Sequence, residues 1–225
     1  MKDYILTVED EDDKKKDEEV TGSDKYWNGD SKELETKSFN NHIYFYSSVN
    51  KKSAQELNIK LREVEEELLD KYKAHQSHQE YIYLHINSFG GSVFAAFSII
   101  DTIKSLKVPV ISIIEGAAAS AATLISVVCD YRIIFKTSYM LIHQLSSVTW
   151  GQMNKLEEEM ENLRELMRQI REIYKTHTNI PEGEIDEILK HDLWWDSNTC
   201  LSKGLVDDVR EGERKYRFNR VMIDI

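Results

Sequence analysis

The sequence has little cysteine and a deficit of positive charge. Its two cysteines, Cys129 and Cys200, belong to no CxxC pattern and to no cysteine–histidine cluster with the spacing of a zinc site. We therefore expect a reduced, cytoplasmic protein. The 40 acidic residues outnumber the 29 basic ones and give a formal net charge of −11. Because phosphate backbones and anionic lipids are repelled by such a surface, nucleic acid and membrane are not expected as primary partners.

The chain also lacks a long uninterrupted apolar run. Its most apolar stretch, residues 108–128, is broken by Pro109, Glu115 and Gly116, so we interpret it as a buried strand, a turn and a buried helix. The N-terminus has neither the apolar core of a signal peptide nor the basic composition of a transit peptide, and we expect no targeting segment there. With 225 residues, of which 41% are hydrophobic, the chain has the size of one domain.

Residues 1–38 differ in composition from the rest of the chain. They are rich in Asp, Glu, Lys, Ser and Gly and contain few aliphatic residues. Such a segment buries too little apolar surface to offset the entropy of ordering, so we predict an acidic, mobile N-terminal arm followed by one domain over residues 39–225. The arm is either a solubilising tail or, on an oligomer, a gate or docking segment.

After residue 40, short β-rich segments alternate with helical periodicity, which is typical of an α/β fold. One helix is predicted to begin at a capping box formed by Ser53 and Glu56, and to bury the face with Leu57 and Leu61. A second helix is predicted over residues 92–104. Strands are predicted at residues 42–46, 81–86, 108–114, 131–135 and 139–143.

The longest helical pattern covers residues 152–175. Its apolar residues recur at alternating spacings of three and four, which places them along one seam of the helix. Such a seam needs a partner, either the remainder of its own domain or another subunit. The seam consists of Met153, Leu156, Met160, Leu163, Met167, Ile170 and Tyr174.

Three short segments have the composition of catalytic elements. Small residues surround Ser120 at the junction of a predicted strand and helix, where a serine hydroxyl lies near free backbone donors, although such runs also permit tight helix packing. Gly90 and Gly91 follow a strand and precede a helix, as in an oxyanion hole or a phosphate cradle; no GK[ST] or GxGxxG pattern supports the latter. His143 ends an apolar strand and is either a general base or an interior histidine.

In this order, the three segments resemble the signature of the Clp protease proteolytic subunit family. They read INSFGGSV at residues 86–93, GAAASAATL at residues 116–124 and LIHQL at residues 141–145. The resemblance continues through the long helix to the GLVD segment at residues 204–207, and covers about residues 42–209.

The resemblance implies a serine endopeptidase that hydrolyses unfolded polypeptides. It makes Ser120 the nucleophile, His143 the general base and Asp192 the carboxylate that orients the imidazole. Asp186 and Asp196 are the alternatives for the third position. The resemblance also assigns the oxyanion hole to the backbone amides of Gly91 and Ala121.

The family further implies a crotonase-like spiral of βαβ units with a projecting long helix. Subunits of the family close into heptameric rings that stack as a tetradecamer, and a partner AAA+ unfoldase consumes the ATP. The chain itself is expected to need no metal or organic cofactor.

The sequence departs from the family pattern at two positions. Phe89 stands where the family usually has proline before the glycine pair, and Leu145 stands where proline usually follows His-Gln. The first change affects the turn that would present the oxyanion amides. The second lies in a segment that, in the family, takes part in contacts between the two stacked rings of subunits. Alternatives therefore stay open: a phage capsid-maturation peptidase, a crotonase-like enzyme acting on a CoA ester, or an inactive scaffold subunit.

Overall fold

The computed structural model describes residues 35–75, 80–147 and 150–212. Most of the predicted N-terminal arm, residues 1–34, lies outside these ranges, so the arm stays a prediction. The strands of the described part are β1 (Lys37–Phe39), β2 (His42–Phe45), β3 (Ile82–Ser88), β4 (Val110–Ala119), β5 (Tyr131–Phe135), β6 (Tyr139–Leu141), β7 (Trp194–Asp196) and β8 (Asp208–Arg210). The helices are α1 (Lys51–His75), α2 (Val93–Ser105), α3 (Ala121–Val127), α4 (Met153–His177), α5 (Glu182–Leu189) and α6 (Ser197–Ser202).

The strands form one mostly parallel sheet. Its main order is β1-β2-β3-β4-β5-β8, with β1 antiparallel to β2 and the other neighbours parallel. β6 runs parallel to the second half of β4, and β7 runs antiparallel to β6. Helices connect the parallel strands, because parallel neighbours need a long crossover connection. The predicted α/β class is confirmed.

Strand β4 is longer than the sequence predicts. The prediction ended it at residue 114, whereas the structure continues it through Ala119. The small residues of this extension have low β propensity, but they are paired on both sides: Ala118 lies opposite Ser88 of β3 and Met140 of β6. The hydrogen bonds of these two neighbours therefore decide the conformation, and they carry the strand up to the residue before Ser120.

The predicted capping box at the start of α1 is wrong. The helix begins at Lys51, and its cap is Asn50, whose Oδ1 accepts from the Ser53 amide at 2.9 Å while the Asn50 amide donates to Ser53 Oγ at 3.0 Å. Ser53 thus takes the role in this reciprocal pair that a glutamate usually has. Glu56 instead accepts from the Thr36 amide at 3.4 Å.

The predicted apolar faces of α1 and α2 are buried in the core of the domain. Leu57 and Leu61 of α1 have no exposed surface, and Val93 of α2 has none either. Burying an aliphatic side chain of this size stabilises the fold by roughly 1.5–3 kcal/mol. Ser92 caps α2, and its side chain accepts from the Ala95 amide at 3.4 Å.

The two halves of α4 have different surroundings. In the C-terminal half, Ile170 and Tyr174 are each only 1% exposed and pack on the domain core. In the N-terminal half, Met153 is 70% exposed and Met160 is 47% exposed. The seam is thus covered by its own domain at one end and left open in the single chain at the other. Within the described ranges, no helix is both long and apolar enough to cross a membrane.

Candidate active site

The register of the sheet brings the three sequence segments to one edge. Ser88 of β3, Ala118 of β4 and Met140 of β6 lie side by side across the ladder. The chain then leaves all three strands in the same direction, because they are parallel. Ligands of open α/β sheets bind at this carboxyl edge. The glycine pair, Ser120 and His143 therefore emerge next to one another.

Ser120 occupies a strained turn between β4 and α3. Its backbone has φ 57° and ψ −126°, a region that residues other than glycine rarely adopt and that costs about 1–3 kcal/mol. The Ser120 amide donates to the Leu141 carbonyl at 2.8 Å, and its own carbonyl accepts from the Thr123 amide at 3.0 Å. The residue is only 2% exposed. These bonds tie the turn to the strand that leads to His143.

Gly90 makes the contact between the glycine turn and the serine turn. Its φ is +97°, and a Cβ placed there would lie 2.7 Å from Ser120 Cβ and 2.9 Å from the Ala121 amide nitrogen. Real side chains do not tolerate such distances, so position 90 requires glycine. The absence of a side chain allows the two turns to touch through their backbones.

Gly91 presents its amide away from the neighbouring strand segment. Val49 donates its N–H to the Gly90 carbonyl and accepts from the Ser92 amide, both at 2.7 Å. In such a parallel bridge, the N–H of the residue between the two partners points to the opposite side. Ala121 is the first residue of α3, so its N–H has no partner four residues earlier in the helix. The N–H groups of Gly91 and Ala121 are therefore the kind of backbone donors that can stabilise an oxyanion.

His143 lies beside Asp192. In the antiparallel pairing of β6 with β7, Leu141 is opposite Trp194, and continuing this ladder by two residues places His143 opposite Asp192. His143 Nδ1 is 3.2 Å from Asp192 Oδ1, with the imidazole 13% and the carboxylate 65% exposed. A proton on Nδ1 that faces this carboxylate leaves Nε2 as the nitrogen that can accept a proton.

The two alternative aspartates bind elsewhere. Asp186 of α5 accepts from the Arg171 guanidinium of α4. Asp196 caps α6 by accepting from the Thr199 amide at 2.8 Å. Hydrogen bonding from the Thr199 side chain, and then from its amide, lowers the pKa of the Asp196 carboxyl. Neither contact involves His143.

Both departures from the family pattern have local partners. Phe89, 39% exposed, packs edge-on against Trp194, with ring centroids 5.9 Å apart and planes at 79°. Such pairs stabilise by roughly 0.5–1.5 kcal/mol beyond their burial. The Leu145 amide donates to Met167 Sδ at 3.3 Å, a contact that proline could not make because it has no N–H. Phe89 thus links the glycine turn to the segment after Asp192.

Sequence reasoning missed Arg132, which anchors the GLVD segment. Its guanidinium donates to both carboxylate oxygens of Asp207, at 2.7 and 2.9 Å, and to the Gly204 carbonyl at 2.8 Å. The hydrogen bond from Arg132 lowers the pKa of the Asp207 carboxyl. Nothing in the local pattern singles out this arginine, since its partners in the GLVD segment lie more than 70 residues away. Asp207 therefore ties the GLVD segment to β5 through Arg132.

Residues that could hold a metal are not gathered in the described ranges. No group of three or more His, Cys, Asp or Glu side chains there has the placement of a metal site. Both cysteines are buried, and this burial raises the pKa of each thiol to about 12. The thiols are therefore protonated at neutral pH and poor nucleophiles.

Known proteins resemble this chain in sequence and in fold. The profile of the family described as Clp protease matches residues 33–213. The ATP-dependent Clp protease proteolytic subunit of Deinococcus radiodurans is 29% identical over 144 residues, which cover 63% of this chain and 71% of that protein. A mutant of ClpP1 from Listeria monocytogenes matches the structure with a TM-score of 0.65 at 23% identity, covering 77% of this chain and 92% of the other. The structural match confirms the predicted spiral of βαβ units.

Proposed function

Because the chain belongs to the Clp protease family and is thus a ClpP-type peptidase, we propose that it is a serine endopeptidase acting through Ser120, His143 and Asp192. The substrates are unfolded polypeptides. The observation that carries the proposal is the shared carboxyl edge of β3, β4 and β6, from which the glycine pair, Ser120 and His143 emerge together. The 3.2 Å contact of His143 with Asp192 supports the assignment of base and orienting carboxylate.

The proposed reaction follows from the roles of these groups. Ser120 Oγ attacks the carbonyl carbon of the scissile peptide, and His143 Nε2 takes the hydroxyl proton. The tetrahedral oxyanion accepts hydrogen bonds from the amides of Gly91 and Ala121, and each such donor contributes roughly 3–4 kcal/mol. His143 then protonates the leaving amine, the C–N bond breaks, and an acyl-enzyme remains. Water, deprotonated by His143, hydrolyses this ester and restores Ser120.

Self-assembly is part of the proposal. Members of the family act as oligomers, and we propose heptameric rings stacked as a tetradecamer that encloses the serines. The open half of the α4 seam supports this, because Met153 and Met160 are exposed in the single chain. An AAA+ unfoldase that consumes ATP would deliver substrates. The proposed location is the cytoplasm of a bacterium, or of a host cell if a phage encodes the chain, and no cofactor is required.

Other reactions on the same fold use less of the site. A crotonase-like enzyme would use the glycine and alanine amides to stabilise an enolate, but it would have no need for His143 beside Asp192. A scaffold subunit would need neither the backbone amides nor the contact between His143 and Asp192. The His143–Asp192 contact therefore favours the peptidase.

Hydrolysis of a fluorogenic peptide tests the proposal. Purified protein should cleave the peptide, and Ser120→Ala should abolish cleavage without lowering the melting temperature. Ser202→Ala, at an exposed position of α6, is the matched control and should keep full activity, since its hydroxyl donates to the Thr199 carbonyl of the same helix. Equal activity of the Ser120→Ala variant and the wild type would contradict the proposal.

A further inference from the structure

A buried tyrosine on the long helix reaches the turn that carries Ser120. Tyr174 of α4 is 1% exposed, and its hydroxyl lies 2.6 Å from Thr123 Oγ1 of α3. Thr123 Oγ1 in turn donates to the Ser120 carbonyl at 2.6 Å. A carbonyl oxygen can only accept, so the single hydroxyl proton of Thr123 is used in that bond. Tyr174 must then be the donor to Thr123, and the three residues form a one-way chain of hydrogen bonds.

This chain ends on the peptide group that carries the proposed oxyanion donor. The Ser120 carbonyl and the Ala121 amide belong to the same peptide bond, which is planar and trans. In a trans peptide the N–H points opposite to the C=O. Whatever fixes the direction of the Ser120 carbonyl therefore also fixes the direction of the Ala121 N–H.

The Ser120–Ala121 peptide group needs hydrogen bonds to hold its orientation. Ser120 combines φ 57° with ψ −126°, which is unfavourable for a residue with a side chain, and rotation of this peptide plane would relieve the strain by moving ψ toward the left-handed region. Rotation would break the two hydrogen bonds that the Ser120 carbonyl accepts, from the Thr123 hydroxyl at 2.6 Å and from the Thr123 amide at 3.0 Å. Hydrogen bonds in series also polarise one another, so a carbonyl bonded in this way makes its own N–H a stronger donor.

The tyrosine stays protonated under working conditions. Burial raises the pKa of Tyr174 above its ordinary value, so its hydroxyl remains a donor at neutral and mildly alkaline pH. Its position on the packed half of α4 leaves water little access to compete for Thr123.

We propose that Tyr174 and Thr123 are positioning residues that hold and polarise the Ser120–Ala121 peptide, so that the Ala121 N–H is preorganised for the oxyanion. The inference rests on the proposed function. Neither residue touches the substrate. A purely structural role would be packing of α4 on α3, and the two roles differ in what they do to the transition state.

Kinetics of near-isosteric variants test the proposal. Tyr174→Phe and Thr123→Val each remove a hydroxyl while keeping most of the side-chain volume. Loss of an oxyanion donor lowers kcat by about 10²–10³-fold, and a misdirected donor should cost part of that, so we expect about 5- to 100-fold lower kcat with KM unchanged. Thr123→Ser, which keeps the hydroxyl, should recover most of the kcat lost in Thr123→Val. Tyr72→Phe, at a position of α1 that is 55% exposed, is the control and should match the wild type.

A transition-state analogue separates positioning from packing. A peptide boronate forms a tetrahedral adduct with the serine and places an oxygen where the oxyanion forms. Its inhibition constant should rise in Tyr174→Phe by the same factor by which kcat/KM falls. The Tyr174→Phe, Thr123→Val double variant should lose no more than Thr123→Val alone, because the two hydroxyls act in series.

The outcomes are distinguishable. Fluorophosphonate titration counts the folded sites in each variant, so a loss of folded protein is corrected before kcat is compared. Unchanged kcat and boronate affinity in Tyr174→Phe, with the wild type still labelled at Ser120, would overturn this inference alone. A wild type that is not labelled at Ser120 would overturn the proposed function and this inference with it. If Tyr174→Phe does not fold, the comparison of Thr123→Val with Thr123→Ser decides.

Discussion

Replacing Asp192 by asparagine tests the third member of the proposed triad. The substitution removes the carboxylate charge that lies 3.2 Å from His143 and keeps the shape of the side chain. Two unit charges about 4 Å apart attract by roughly 1 kcal/mol in water and roughly 4 kcal/mol near a protein surface. The imidazolium that forms during attack would lose this stabilisation, which corresponds to about 5-fold to about 10³-fold in kcat.

The asparagine adds a second cost, because its amide can donate to Nδ1. Nε2 would then carry the proton and could not accept from Ser120, an effect that contributes to the roughly 10⁴-fold loss known for buried triad carboxylates. Asp192 is 65% exposed, so water screens the charge, and we expect a loss of about 10²–10³-fold rather than the full value.

The assay compares Asp192→Asn with Asp186→Asn in peptide hydrolysis. Asp186 binds Arg171 and is the matched control, so its variant should keep near-normal kcat. Both variants should melt within a few degrees of the wild type, since both carboxylates are largely exposed. Near-normal turnover of Asp192→Asn, or an equal loss in Asp186→Asn, would refute the reasoning.

Three further predictions concern the glycine turn, the GLVD segment and assembly. Gly90→Ala should abolish peptide hydrolysis and lower the melting temperature, whereas Gly183→Ala, with open space around it, should do neither. Asp207→Asn should destabilise the fold at neutral pH; because the Asp207 pKa is lowered in the folded state, the difference in melting temperature should shrink as pH falls through that pKa. Light scattering should find an oligomer that Met160→Glu dissociates, and a monomeric wild type at working concentration would contradict the ring assembly.

Periodicity predicted most of the secondary structure. The helix at residues 152–175 is observed at Met153–His177, and the strand at residues 131–135 is observed with the same bounds. These elements are decided locally, by the spacing of apolar side chains and by β-branched residues. The acidic arm lies almost wholly outside the described residues and remains a prediction.

Errors arose where distant pairing overrides local pattern. Strand β4 continues through Ala119 because two neighbouring strands supply its hydrogen bonds, although alanine and glycine are poor strand formers. The cap of α1 fell on Asn50 rather than Ser53, because Ser53 bonds back to Asn50 instead of opening the helix. Residue types and spacings are local properties of the sequence. They do not specify which distant strand will pair with a given segment.

The candidate site was only partly visible in the sequence. Ser120 and His143 came from motifs in order and Asp192 from its place ahead of the GLVD segment, and their catalytic roles remain predictions. The supporting contacts were not visible: Tyr174 meets Thr123 across 51 residues, and Arg132 meets Asp207 across 75. Neither pair forms a local motif, and only the packing of helix on helix and strand on strand brings the partners together.

Mass spectrometry of the fluorophosphonate-treated protein tests the central claim most directly. A catalytic serine with a functioning base reacts with this reagent, whereas an ordinary serine hydroxyl does not. We predict one phosphonyl adduct per chain, located at Ser120 in the peptide map, absent after Ser120→Ala and slowed in Asp192→Asn. An adduct at another residue, or an unmodified native protein, would contradict the account.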